Sequence, residues 1–190
     1  MNASAEIAGA ARALSLGRLV VYPTDTLLGL GARADRADAV RRLFRAKGRP
    51  VSGTVSFAVS SYEEIERFAE LGTTARAWIR DRLPGPFTVL VRARAPARPR
   101  LAPGVVGPGG ILGVRIPDHP VARELARRVG PIVATSANRH GEPPARTVEA
   151  ARQALGRRVA RYVRLGPRPS GRPSEIVDLT GATPRRVSRR

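Results

Sequence analysis

The chain contains no cysteine, only two histidines (His119 and His140), one tryptophan, and aromatic side chains at just 4% of its positions. Without cysteine there is no disulfide framework and no thiolate nucleophile, and two histidines cannot build a histidine-based metal cage. Sparse aromatics argue against the stacking platforms used by single-strand binders. No run of about 18 apolar residues is available to span a membrane, and the N-terminus lacks the basic start and apolar core of a signal peptide. A cytoplasmic protein with no membrane partner is therefore expected. Lysine is nearly absent as well: among 34 Lys and Arg residues, Lys47 is the only lysine. It stands in Arg45-Ala46-Lys47-Gly48-Arg49-Pro50. An ammonium is a compact charge on a flexible stem, whereas a guanidinium is a planar fork. One amine among so many forks marks either a local need or a leftover on a solvated helix end.

At 190 residues, with 42% apolar content, the chain fits one domain over 1–190 with a real core, two subdomains being the alternative. The formal charge of +19 attracts polyanions such as RNA and nucleotides. Arginine is used in place of lysine throughout, however, and a bias of that kind raises charge everywhere rather than on one surface.

Apolar periodicity predicts a helix over 4–16, capped by Ser4 and stopped at Gly17, then a buried strand over 19–22. Pro23-Thr24-Asp25-Thr26 closes that strand and is followed by Leu27-Leu28-Gly29-Leu30-Gly31. Hydroxyls and a carboxylate at a strand end, with glycines permitting close backbone approach, suit a ligand site in an α/β sheet or a plain turn. A helix beginning at Asp35 or Asp38 delivers Lys47 and Arg49 at its C-terminus, where the dipole also favours cations. Further on, the pattern predicts a strand over 54–59, helices from Ser60 or Ser61 to Phe68 and over 73–83, and strands over 87–91 and 111–116. Residues 92–110, rich in Pro, Gly and Arg, read as a long binding loop or lid. His119 is expected to cap or pack the start of a helix ending at Val129. A buried strand over 131–134 then leads to Thr135-Ser136-Ala137-Asn138-Arg139-His140-Gly141-Glu142-Pro143, which presents hydroxyls and an amide to a ligand or forms an ordinary turn. His140, in that turn, is expected to be structural. A helix over 147–155, strands over 162–165 and 176–179, and a frayed basic tail over 184–190 complete the expectation.

Six segments, taken in order, carry a resemblance. They are Tyr22-Pro23-Thr24-Asp25-Thr26 with Gly29 and Gly31; Lys47-x-Arg49-Pro50; Pro84-Gly85-Pro86-Phe87-Thr88; Val114-Arg115-Ile116-Pro117; Ser136-Ala137-Asn138 with Gly141-x-Pro143; and Ser174-x-Ile176-Val177-Asp178. Together, over roughly 5–180, the chain resembles the YrdC-like threonylcarbamoyl-AMP synthases of the single-domain type. The resemblance implies an α/β fold, a twisted mixed sheet with flanking helices around a large basic cavity. It implies a nucleotidyltransferase that joins L-threonine, bicarbonate and ATP into threonylcarbamoyl-adenylate with release of pyrophosphate. A threonylcarbamoyl transferase complex would then pass the group to adenosine 37 of tRNA, and direct contact with tRNA or other RNA is a further implied partnership. Carried over residue by residue, Lys47 and Arg49 sit on the ATP phosphates and the developing carbamate. Ser136 and Asn138 hold the nucleotide. Arg115 pairs with the threonine carboxylate, and Thr24, the backbone near Ala134 and Ser174 surround the rest of the amino acid. Mg2+ accompanies ATP rather than occupying a dedicated protein metal site.

The chain departs from the family's usual pattern at Leu28, Gly53, Ala58, Ile111 and Pro144, and carries the shorter acid Asp25 in the first motif. Arg189 is a weak match to a late nucleotide-binding arginine. These departures remove expected contacts to nucleotide and threonine, and leave two alternatives: a non-catalytic RNA-binding paralogue, or a related enzyme with another acyl or carbamoyl substrate.

Overall fold

The structure is a computed structural model and describes residues 2–50 and 54–188. Two of the positions singled out above, Gly53 and Arg189, lie outside the described residues. In chain order, α1 (Ala3–Ser15) leads into β1 (Val20–Pro23), β2 (Leu28–Gly31), α2 (Ala37–Lys47), β3 (Phe57–Ala58), α3 (Tyr62–Phe68), β4 (Ala69–Glu70) and α4 (Thr73–Arg82). Next come β5 (Phe87–Ala93), β6 (Val106–Gly107), β7 (Ile111–Arg115), α5 (Pro120–Val129), β8 (Ile132–Val133) and β9 (Thr135–Ser136). The chain finishes with α6 (Val148–Leu155), β10 (Arg161–Tyr162), β11 (Glu175–Asp178) and β12 (Arg185–Val187).

Hydrogen bonding divides the described strands between two mixed sheets, one in the order β10-β1-β2-β9 and one in the order β12-β11-β5-β7-β3-β8, with β4 on β5 and β6 on β7. The sheets are joined where β2 runs on: Val133 N donates to Ala32 O, and Arg33 bridges Ile132. The buried strand β1 explains why its sequence is a continuous apolar run. Leu19 and Val21 enter one core, while Val20 and Tyr22 enter a second core shared with α1 and α5. Both faces of the strand are covered, so alternation is lost, as is usual for strands buried on two sides.

Several local expectations are revised. Asn2, not Ser4, caps α1, its side chain accepting from Ser4 N, because the helix starts one residue earlier than the apolar pattern does. Arg36 precedes α2 without a side-chain cap, and Asp38 instead pairs with Arg36. Residues 92–110 are no open loop: a 3-10 turn over Ala95–Arg100, buried Leu101, Ala102 and Val105, and the strand β6 pin them to β7. The tail is not frayed where it is described, since β12 pairs antiparallel with β11. Leu28-Gly29-Leu30-Gly31, left unassigned from sequence, forms a hairpin strand on β1, and Thr135–Ser136 pairs with it on the other side.

Gly31 shows why that hairpin strand alternates leucine with glycine. A Cβ at Gly31 would lie 2.6 Å from Tyr22 Cε1 and 2.8 Å from Ile132 Cγ2, so the tyrosine ring occupies the space that a side chain would need. Gly31→Ala is expected to destabilise the fold by about 1–3 kcal/mol through overpacking. Gly181→Ala, where nothing lies within 4 Å of the added carbon, is expected to stay within about 0.5 kcal/mol of the parent. Urea unfolding of the two variants checks the difference.

Candidate active site

Lys47 ends a helix whose buried face comprises Ala39, Val40, Leu43, Phe44 and Ala46, so the lysine is carried inward with them and is only 4% exposed. Gly48, at φ 65°, stops the helix, and Arg49 N reaches back to Phe44 O. This turn sends Arg49 off the helix axis. Lys47 Nζ donates to Ser136 O and Asn138 O, both at 2.7 Å, while His140 N donates to Lys47 O at 2.7 Å. The helix end and the loop after β9 are therefore stitched together by main chain and side chain. Burial, and secondarily the Arg49 charge, bring the Lys47 pKa down to about 8. Two carbonyl acceptors favour the ammonium and work against that shift.

Asn138 fixes its own orientation. Its Nδ2 donates to Arg139 O (2.8 Å) and Glu142 O (2.6 Å), which closes the loop and leaves Oδ1 as the acceptor end of the amide. Arg49 donates to Thr54 O at 3.0 Å, with its guanidinium 5.9 Å from the centroid of the Phe44 ring. Ser136 Oγ makes no hydrogen bond among the described residues.

Arg115, which also lines this region, ends β7 and is 6% exposed. Its Nη1 donates to Thr26 Oγ1 at 3.0 Å and its Nη2 to Asp25 Oδ1 at 2.6 Å. Burial raises the Asp25 carboxyl and the Arg115 charge pulls it back; the short charge-assisted contact keeps the pair ionic. Since the Thr24 hydroxyl spends its only proton on Leu27 O, the 3.0 Å contact between the two hydroxyls has Thr26 Oγ1 as donor and Thr24 Oγ1 as acceptor. Thr24 Oγ1 in turn donates to Leu27 O (2.7 Å) and accepts from Thr26 N and Leu27 N. The Thr24 hydroxyl is thus used up inside its own turn. Ser174, at the entrance to β11, meets Thr88 Oγ1 at 2.9 Å, and Ser56 Oγ donates to Ala134 O at 2.9 Å.

All eight residues expected at the site, Thr24, Lys47, Arg49, Arg115, Ala134, Ser136, Asn138 and Ser174, line one cavity of about 750 Å³. That volume falls in the range of small-molecule sites. Of the departures, Leu28, Ile111 and Pro144 line the cavity and give it apolar wall, whereas Ala58 is buried in β3 and is not part of the lining. Thr26, Ser56 and Thr88 also line the cavity and were not assigned from sequence. Their signal was a hydroxyl inside, or at the end of, an otherwise apolar strand. Glu142 lines the cavity and Asp25 holds Arg115, and among the described residues no group of three or more His, Cys, Asp or Glu side chains is placed to hold a metal.

Fold and site together define an α/β protein in which strands of both sheets line a cavity that holds three cationic side chains and several hydroxyls. The chain belongs to the Sua5/YciO/YrdC family, whose model, described as telomere recombination, matches residues 12–190. It is 43% identical over 180 residues to a Mycobacterium tuberculosis relative, covering 94% of this chain and 81% of that one. It is 40% identical over 185 residues to the threonylcarbamoyl-AMP synthase of Chromohalobacter salexigens, covering 95% and 96% of the two chains. Among solved structures, P. abyssi Sua5 complexed with L-threonine superposes with a TM-score of 0.85 at 30% identity, covering 94% of this chain and 52% of that one. This chain thus spans about half the length of that neighbour, and the match is to that half alone.

With one lysine in the sequence, 13C-lysine labelling gives a single side-chain resonance to follow. Its midpoint is expected near pH 8, and saturating ATP is expected to move it upward, because phosphate beside the amine favours the charged form. A midpoint near the ordinary lysine value of about 10.4, unmoved by ATP, would place the amine in solvent.

Proposed function

We propose that this protein is a threonylcarbamoyl-AMP synthase, a nucleotidyltransferase acting on L-threonine, bicarbonate and ATP. The observation that carries the reading is convergence: residues as distant in sequence as Thr24, Lys47, Arg115, Ser136 and Ser174 meet on one cavity with complementary chemistry. Relatives over nearly the whole chain bear that activity in their names, which supports the same substrates here.

The threonine amine and bicarbonate give a carbamate with loss of water. A carbamate oxygen then attacks the α-phosphorus of ATP, the bond to the β-phosphate bridge breaks, and pyrophosphate leaves with its electron pair. Nothing in this sequence of steps needs a protein nucleophile. What it needs is alignment and a place for negative charge, which positioned cations supply without reorganising during reaction. Lys47 and Arg49 take the phosphates and the carbamate, Ser136 and Asn138 hold the nucleotide, and Arg115 takes the amino acid's carboxylate. Ser174, the main chain at Ala134 and the wall formed by Thr24 enclose the remainder of the amino acid. Mg2+ accompanying ATP would help neutralise the phosphate charge, and the oxygen-rich cavity lining, with the Glu142 carboxylate, would suit such a hard cation.

The product is a mixed anhydride, so a separate acyl transfer must consume it. In this reading the acceptor is adenosine 37 of tRNA, reached through a transferase complex in the cytoplasm. The net charge of +19 supports contact with RNA during that hand-over.

Pyrophosphate release from ATP is expected to require both L-threonine and bicarbonate. Lys47→Ala is expected to lower kcat/KM by about 10²–10³-fold, the scale of one lost preorganised charge contact. A coupled pyrophosphatase assay measures both. Folded protein that releases no pyrophosphate with all three substrates present would rule the reading out.

A further inference from the structure

Behind the Arg115 wall, residues 166–174 run as a strap from the start of α5 to Ser174. Ser170 N donates to Asp25 O at 3.0 Å and Gly171 N to Thr26 O at 2.8 Å. Those two carbonyls belong to the residues that hold Arg115. The strap is anchored at its other end by His119, which is 1% exposed. His119 Nδ1 accepts from Val121 N at 3.2 Å as the N-cap of α5. An accepting Nδ1 puts the ring proton on Nε2, which donates to Pro167 O at 3.1 Å. Gly166, at φ +82°, lies flat on the ring: a Cβ there would come within 2.7 Å of His119 Cε1. Burial holds the His119 pKa below the ordinary value, opposed by the Pro167 carbonyl, Asp25 and Asp118.

We propose that His119 is a positioning residue, clamping the 166–174 strap so that Asp25, Thr26 and Ser174 present the amino-acid end of the cavity in register with Arg115. One ring has two tasks: Nδ1 caps a helix, and Nε2 fixes the strap. His119 does not line the cavity, so it reaches the ligand site indirectly, through the strap. The role of the clamp in threonine recognition rests on the synthase reading; the clamp itself does not.

Two substitutions separate the tasks. His119→Asn keeps a favoured N-cap acceptor at the Nδ1 position but is too short to reach Pro167. His119→Gln extends an amide donor to the reach of Nε2 and gives up the cap. For His119→Asn, the KM for L-threonine is expected to rise about two- to tenfold, the range set by one lost hydrogen bond, with the KM for ATP unchanged. Hydrogen exchange at the Ser170 and Gly171 amides is expected to accelerate, with Tm near the parent value. For His119→Gln, those amides stay protected and the threonine KM stays near the parent value, while Tm falls by about 2–4 °C for the lost cap. The proposal is overturned if His119→Asn leaves Ser170 and Gly171 exchange unchanged, if it raises the two KM values equally, or if both variants raise the threonine KM alike. Should the parent protein release no pyrophosphate, the synthase reading fails on its own, and the exchange data on the same two variants still decide whether the clamp exists.

Discussion

The buried ammonium of Lys47 holds two distant parts of the chain in one arrangement. Moving a lone charge out of water costs several kcal/mol, so it must be met by well-placed acceptors. The carbonyls of Ser136 and Asn138 meet it, 89 and 91 residues further along the chain. Remove the amine and two inward-facing carbonyls lose their partner in a place solvent hardly reaches. A guanidinium in its place would bring a bulkier planar head into a space fitted to a single nitrogen. The only lysine of the chain is found where a point charge is required, in a protein that otherwise uses arginine.

The second wall is organised differently. Arg115 is aimed by a carboxylate and a hydroxyl, the hydroxyl is aimed by Thr24, and Thr24 is locked into its own turn. Each group has its donor and acceptor roles set by the next, so the guanidinium cannot swing without breaking several bonds. Such preorganisation lowers the entropy a ligand must give up on binding. It also gives Asp25 and Thr26 the task of aiming Arg115.

The helices and longer strands could be read from the sequence because their signals are local: apolar periodicity for α2 and α5, and a bare apolar run for β1. That eight residues scattered along the chain would converge on one cavity was also legible, through motif order rather than through any single motif. What escaped was set by partners far away in the chain. Leu28–Gly31 looks like a turn until the Tyr22 ring is placed against Gly31. Thr135–Ser136 has no strand pattern of its own, and pairs because β2 offers it an edge. Thr24 reads as a ligand hydroxyl, and only its hydrogen bonds show that the oxygen is already committed. His119 was legible as a cap from its place before a proline-started helix, but its second bond runs 48 residues away, to Pro167.

The last strand has a consequence for how the molecule behaves at high concentration. β12 borders the larger sheet, and a bordering strand offers unpaired backbone groups to any extended chain that drifts past. Here that border carries Arg185 and Arg186, each tied to an acid of β11, Asp178 and Glu175 respectively. A second molecule approaching the same margin would have to bring its own arginine pair alongside, with both acids already occupied. Like charges would meet before backbone could pair, so the basic tail guards the sheet against stacking onto its own copies.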